Sequence, residues 1–265
     1  MKKVTVWRWW ILNERTAPPV AALGVMVMVI LLTLFFHVLT KPAAAPTVNG
    51  NTNTLAKPNL AIATDDGVTL VGDLTYPSGA GPFPVVILVH EFGQDRHQWD
   101  AYRDTFIGDG FAVLAYDTRG FGGSALANVP GAQTAFFGSM PNDLAAILTY
   151  LRRQPKVDDA KIYIIGASLG ANIAYVAAGS DLGIVKTVLL SPGVNPQLDG
   201  ATVADFKPSN IFGLASEADQ SALEAVMANV QEPKKTTIVA DSTSHGVALL
   251  QSSKVFNTVR QWLAE

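Results

Sequence analysis

The feature that most constrains this chain is a series of short apolar runs separated by polar, helix-compatible stretches. Val85–Val89, Phe111–Tyr116 and Ile162–Ile165 are apolar at nearly every position. A strand with one wet face alternates apolar and polar residues, whereas a strand covered on both faces does not. Val185–Leu190, Ile211–Ala215 and Thr237–Ala240 read as three further strands. Between the runs lie candidate helices at Gln94–Gly110, Asn142–Arg153, Leu169–Ala178, Gln220–Val230 and Val247–Ala264. In the second of these, Leu144, Ile147, Leu148 and Leu151 fall at helical spacing. Near the start, Leu60–Thr64 and Val68–Tyr76 flank Asp65-Asp66-Gly67, a turn signal that predicts an antiparallel hairpin. The pattern predicts an α/β domain on a mostly parallel central sheet, with right-handed crossovers putting helices on both faces.

The domain is expected over residues 58–265, and what precedes it is different in kind. Val20 to Phe36 is almost wholly aliphatic or aromatic, and Thr16 to Thr40 carries no charged side chain when His37 is neutral. Roughly 20 apolar residues suffice for a helix to cross a bilayer core of about 30 Å. Residues 1–19 carry Lys2, Lys3, Arg8 and Arg15 with Trp7, Trp9 and Trp10, a basic, interface-seeking flank. The expected order is therefore a cytoplasmic segment (1–19), a transmembrane signal anchor (20–40), a polar linker (41–57) and an extracytoplasmic domain. A cleavable signal peptide is the alternative, because Ala43-Ala44-Ala45 resembles a cleavage site. Pro46 behind it, and an apolar run longer than about 7–15 residues, favour the anchor.

Charge and cysteine content exclude other chemistries. Six of the 19 Lys and Arg, and one of the 22 Asp and Glu, lie in the first 57 residues, leaving 13 basic and 21 acidic. An acidic domain without a basic stripe does not suit nucleic acid, and neutral or cationic substrates are expected; the membrane is engaged only through the N-terminal helix. The chain has no cysteine, which removes thiolate catalysis and cysteine-ligated metals. No metal-ligand cluster or organic cofactor motif is apparent, so none is expected.

Gly166-Ala167-Ser168-Leu169-Gly170 follows an apolar strand and opens an Ala-rich helix. In that context G-x-S-x-G predicts a sharp strand-to-helix turn that lifts Ser168 Oγ into the open and aims the Leu169 N–H at the same place. On this motif the stretch from Pro58 to Glu265 resembles the α/β-hydrolase superfamily. His90-Glu91-Phe92-Gly93 is similar to the dienelactone-hydrolase group, and Asp117-Thr118-Arg119-Gly120-Phe121-Gly122-Gly123-Ser124 resembles the D-x-R-G-x-G-x-S stretch of many such hydrolases. Dienelactone hydrolases proper use cysteine where this chain has Ser168.

The resemblance implies the chain order Ser, then Asp or Glu, then His. Of His37, His90, His97 and His245, only His245 follows Ser168, and it is the expected base. Asp219, just past the strand at Ile211–Ala215, is the expected acid; its competing role is a helix N-cap before Gln220. Glu217, Asp199 and Asp205 are alternatives. The resemblance also implies Phe92 N–H as partner to Leu169 N–H in the oxyanion hole, and Glu91 as a residue that approaches and orients the nucleophile. Only 20 residues separate the strands at Val185–Leu190 and Ile211–Ala215, too few for a large lid. Phe92, Phe121, Phe136 and Phe137 are candidates to line an apolar pocket. The expected activity is a serine hydrolase acting on a carboxylic ester. A thioesterase or small peptidase with the same triad, or a catalytically silent binding domain, are the rivals.

Overall fold

The computed structural model describes residues 59–124, 138–180, 182–194, 203–239 and 243–265. The expected membrane segment, Phe136, Phe137 and Asp199 lie outside the described residues. No helix among the described residues is long and apolar enough to cross a membrane.

Among the described residues eight strands form one sheet: β1 (Leu60–Ala63), β2 (Thr69–Thr75), β3 (Phe83–Val89), β4 (Ala112–Tyr116), β5 (Val157–Ala167), β6 (Lys186–Leu190), β7 (Ile211–Ser216) and β8 (Lys234–Val239). Their spatial order is β1-β2-β4-β3-β5-β6-β7-β8. The hairpin pairs Leu60 with Gly72 and Ala63 with Thr69, antiparallel, and β2 also runs antiparallel to β4. All other pairs are parallel. Five α-helices accompany them among the described residues: α1 (Asp100–Gly108), α2 (Met140–Leu151), α3 (Leu169–Gly179), α4 (Gln220–Met227) and α5 (Ser253–Ala264).

The apolar runs are buried on both faces, as their composition requires. In β3, Val85, Ile87 and Val89 enter one core with residues of α2, α3 and α4, while Val86 and Leu88 enter the other with residues of α1 and α5. The same alternation sorts Leu114 from Val113 in β4 and Ile164 from Ile165 in β5. The sheet is thus the middle of three layers, held by apolar burial on each side.

Several boundaries differ from the sequence expectation; the helix expected over Gln94–Gly110 is a 3-10 turn, Arg96–Trp99, followed by α1. β5 begins five residues before the apolar run, at Val157, and β8 begins at Lys234. β8 lies at the edge of the sheet, where lysine is tolerated and discourages pairing with another chain. The single helix expected over Val247–Ala264 is a 3-10 stretch, Gly246–Gln251, followed by α5. Ser252 separates them: its backbone is extended (φ −72°, ψ 113°) and its hydroxyl accepts from Val255 N at 3.5 Å, an N-cap in the middle of the apolar pattern.

In an open α/β sheet the ligand crevice forms at the carboxyl ends of strands where the connection order reverses. Here β3 lies between β4 and β5, so the chain leaves β3 toward one side and crosses to the other. The loops after β3 and β5 therefore flank the crevice.

Candidate active site

Ser168 sits at the turn between β5 and α3 with φ +52° and ψ −114°. A non-glycine residue with positive φ outside the small left-handed region is strained, and such strain persists only where the surroundings impose it. The two glycines explain the imposition. A Cβ on Gly166 would stand 2.1 Å from Gly170 O, and one on Gly170 would stand 2.3 Å from Val89 O. Strand, turn and the end of β3 approach more closely than any side chain permits. Ser168 N donates to Leu190 O at 2.8 Å, and Ser168 O receives Ala171 N and Asn172 N, so the backbone is fixed while the half-buried side chain is left open. Among the described residues Ser168 Oγ makes no hydrogen bond.

Leu169 is the first residue of α3, and first-turn amides have no partner within their own helix. Its N–H is available to a developing negative charge beside Ser168. Phe92 lies in the loop after β3, which Gly170 touches through Val89 and His90. The Phe92 ring is 57% exposed and meets Phe121 edge-on, with centroids 5.3 Å apart.

In the loops after β7 and β8, His245 Nδ1 is 2.6 Å from Asp219 Oδ2. Asp219 precedes α4 in the N-cap position, yet its side chain makes no cap hydrogen bond. Its carboxylate turns to the imidazole instead, which separates the two roles the sequence left open. The His ring is 48% exposed and the Asp carboxylate 28%, so water reaches the pair. Glu217 is exposed, and its carboxylate makes no hydrogen bond among the described residues. Asp205 is exposed in a one-turn 3-10 helix, Val203–Asp205. No hydrogen bond joins His245 to Ser168 among the described residues; without substrate such contacts are often long and tighten in the reacting complex.

Glu91 is placed differently from the sequence expectation. Its carboxylate does not engage Ser168; Oε1 accepts the N–H of Val247 at 2.7 Å, two residues past His245. The reason is local: Gly246 has φ +56° and no side chain, and a Cβ there would lie 2.1 Å from Glu91 Oε1.

His90 and His97 serve the scaffold. His90 is fully buried, and its Nε2 accepts from Thr118 N at 2.9 Å. That leaves the proton on Nδ1, which donates to Glu91 O at 2.7 Å. Burial pushes the His90 pKa below the ordinary imidazole value, outweighing the opposing pull of the Glu91 carbonyl and the nearby aspartates. His97 meets Asp100 at 3.0 Å at the start of α1.

In the stretch 117–124, Asp117, Arg119 and Ser124 are buried and bonded within the scaffold, a role that the sequence did not disclose. Arg96 donates through Nε to Asp73 (2.8 Å) and through a terminal nitrogen to Asp117 (2.6 Å). Asp117 also receives Gly123 N at 2.7 Å. Arg119 donates to Asp143 in α2 through Nε at 2.7 Å and through a terminal nitrogen, and to Asp66 in the hairpin turn at 2.7 Å. Arg119 is held firmly protonated by these carboxylates, and its guanidinium brings the Asp66 pKa down to about 2. A cavity of about 890 Å³ beside β1 and α2 is lined in part by Asp66, Arg119 and Tyr150, and by none of the candidate site residues. No group of three or more His, Asp or Glu among the described residues could hold a metal ion.

A strained serine at the carboxyl edge of a mostly parallel sheet, with a carboxylate-bound imidazole supplied by later loops, is the arrangement of the α/β hydrolases. The comparisons agree: the chain belongs to the hydrolase family described as serine aminopeptidase, S33, whose model matches residues 80–247. It is 25% identical over 247 residues to an uncharacterized protein of Mycobacterium tuberculosis, covering 84% of this chain and 85% of that one. Among solved structures it is similar in fold to a dienelactone hydrolase from Anabaena variabilis (TM-score 0.61, 18% identity, 77% of this chain and 95% of that one). An esterase of Pyrococcus furiosus gives a TM-score of 0.63 at 18% identity, over 83% of this chain and 96% of that one.

Proposed function

We propose that this hydrolase cleaves a small carboxylic ester through Ser168, His245 and Asp219. The reading is carried by one observation: the 2.6 Å contact of His245 with Asp219, in loops at the same sheet edge as Ser168. Asp219 keeps the proton on Nδ1, so Nε2 is free to take the Ser168 proton as Oγ attacks the carbonyl. Leu169 N–H and Phe92 N–H stabilise the tetrahedral oxyanion, a class of interaction whose loss costs about 10²–10³-fold in rate. Protonated His245 then delivers the proton to the leaving alcohol, and water activated by the same imidazole releases the acid from the acyl-enzyme.

The family description favours a second reading, an amide substrate with a free amino terminus. Steady-state hydrolysis of a p-nitrophenyl ester, an acyl thioester and an aminoacyl p-nitroanilide ranks the classes, with Ser168→Ala as the control. The ester is expected to turn over fastest, and activity in Ser168→Ala equal to that of the unsubstituted chain would sink the mechanism.

The proposal extends to location. The apolar run of residues 20–40 with its basic, Trp-rich flank supports a single-pass anchor that places the hydrolase outside the cytoplasm. Full-length protein should stay with membranes in high salt at its uncleaved mass. An N-terminus beginning after Ala43, Ala44 or Ala45 would make it a secreted enzyme instead.

A further inference from the structure

Glu91 lies between the two halves of the candidate machinery. In sequence it precedes Phe92, the expected oxyanion donor; in space its carboxylate holds the loop that carries His245. Both backbone groups of Glu91 are pinned. Its N–H donates to Gln98 Oε1 at 3.0 Å, and its carbonyl accepts from Nδ1 of buried His90, whose other nitrogen is held by Thr118. The side chain is therefore presented from a fixed base.

The His245 loop is gripped at two consecutive amides. Gly246 N donates to Ser191 Oγ at 3.0 Å, and Val247 N donates to Glu91 Oε1 at 2.7 Å. Ser191 is itself buried with φ +51°, its N–H bonded to Leu214 O at 2.8 Å. The Asp219 contact constrains the imidazole, but the ring is nearly half exposed, and one hydrogen bond to a ring nitrogen leaves rotation about that bond open. The backbone clamp supplies what the ring contact lacks. A charge-assisted bond from a carboxylate to a backbone N–H is about twice as strong as a neutral one. Gly246 gives the clamp its closeness, since any Cβ would occupy the place of the Glu91 carboxylate.

We infer that Glu91 is a positioning residue for His245: through Val247 N–H it fixes the loop bearing the base and couples it to the loop bearing the oxyanion donor. The inference rests on the proposed triad for its catalytic consequence, but the clamp itself is independent of that triad. It assigns Glu91 to the base rather than to the nucleophile.

The test uses the full-length chain with Glu91→Ala, Glu91→Gln, Gly246→Ala and the Glu91→Ala/Gly246→Ala pair. Amide hydrogen exchange reads the clamp without reference to activity. Val247 N–H should exchange at least tenfold faster in Glu91→Ala and stay protected in Glu91→Gln, whose amide oxygen can still accept. Unchanged protection in Glu91→Ala would overturn the clamp. Ester kinetics, counted per site reactive to a fluorophosphonate, read the consequence. Glu91→Ala should lose about 10²-fold in kcat with KM within about twofold, the loss expected for a base displaced by about 1 Å. Glu91→Gln should recover most of it. Equal loss in Glu91→Gln and Glu91→Ala would mean the charge, not the clamp, matters, and would overturn the inference. Gly246→Ala should resemble Glu91→Ala, and the pair should be no worse than Gly246→Ala alone, because both break one contact. Fully additive losses would again overturn it. An unsubstituted chain inert to ester and probe, with Val247 protection still lost in Glu91→Ala, would refute the proposed function and leave the clamp standing.

Discussion

Two glycine-rich turns leave the same edge of the sheet, after β4 and after β5, and they use glycine for opposite purposes. In the turn at 117–124 glycine lets the backbone wrap round a carboxylate: Gly122 has φ +49°, and a Cβ there would stand 2.4 Å from the Asp117 carboxyl carbon. Its polar groups are engaged internally, with Ser124 Oγ donating to Asp117 O at 2.7 Å and accepting Val71 N at 2.9 Å. In the turn at 166–170 glycine lets three backbone segments meet so that one side chain is left out of the packing. Asp117, Arg119 and Ser124 are all but inaccessible, while Ser168 is half-buried and its hydroxyl is unbonded among the described residues. A polar group that a fold encloses and satisfies is there for stability; one held in a strained backbone and left open is available for chemistry.

Substitutions in the two regions should therefore separate rate from stability. The largest effect is expected at the proposed acid. Asp219→Asn should lower kcat by about 10⁴-fold, because an amide no longer fixes the Nδ1–H tautomer, with little change in melting temperature. Glu217→Gln should leave kcat within about twofold; the reverse ranking would move the acid to Glu217. Next comes Asp143→Ala, which deprives buried Arg119 of its closest carboxylate and should cost about 3 kcal/mol in denaturant unfolding. Its kcat per folded molecule should be unchanged, and a selective loss of kcat would dissolve the contrast between the turns.

Gly170→Ala tests the junction where the two purposes meet. The new Cβ must push the turn away from Val89 and His90, so kcat should fall about 10²-fold through displacement of Ser168 and Leu169. Wild-type kcat in this variant would show that the close approach is not needed.

The smallest effect belongs to His90. An unfolded chain takes up a proton near the ordinary imidazole value of 6.5, which the folded chain resists because burial lowers the His90 pKa. The His90 contribution to stability is thus complete above that value and is lost as pH falls from it toward the folded midpoint. Imidazole NMR should show His90 as the neutral Nδ1–H tautomer, titrating below 6.5. A midpoint above 6.5 would contradict the burial argument.

The parallel sheet was legible because strands covered on both faces leave almost unbroken apolar runs, as Val85–Val89 does. The serine turn was legible because Gly166 and Gly170 are demanded by contacts within a few residues or with the adjacent strand. Where a role depends on distant contacts, sequence patterning failed. Glu91 meets Val247, 156 residues along the chain, and no spacing rule announces it. Arg119 joins a hairpin turn to a helix, which the motif that contains it does not reveal. The split of the last helix at Ser252 was hidden because 3-10 and α turns bury apolar residues at similar spacing, and only the capping hydroxyl distinguishes them.

The most direct test of the difference between the turns is to expose the full-length chain to a fluorophosphonate and map the adduct by peptide mass spectrometry. One adduct, on Ser168, is expected, absent in Ser168→Ala and formed far more slowly in Asp219→Asn. No adduct, or an adduct on another serine such as Ser124 or Ser191, would contradict the assignment of Ser168 as the nucleophile.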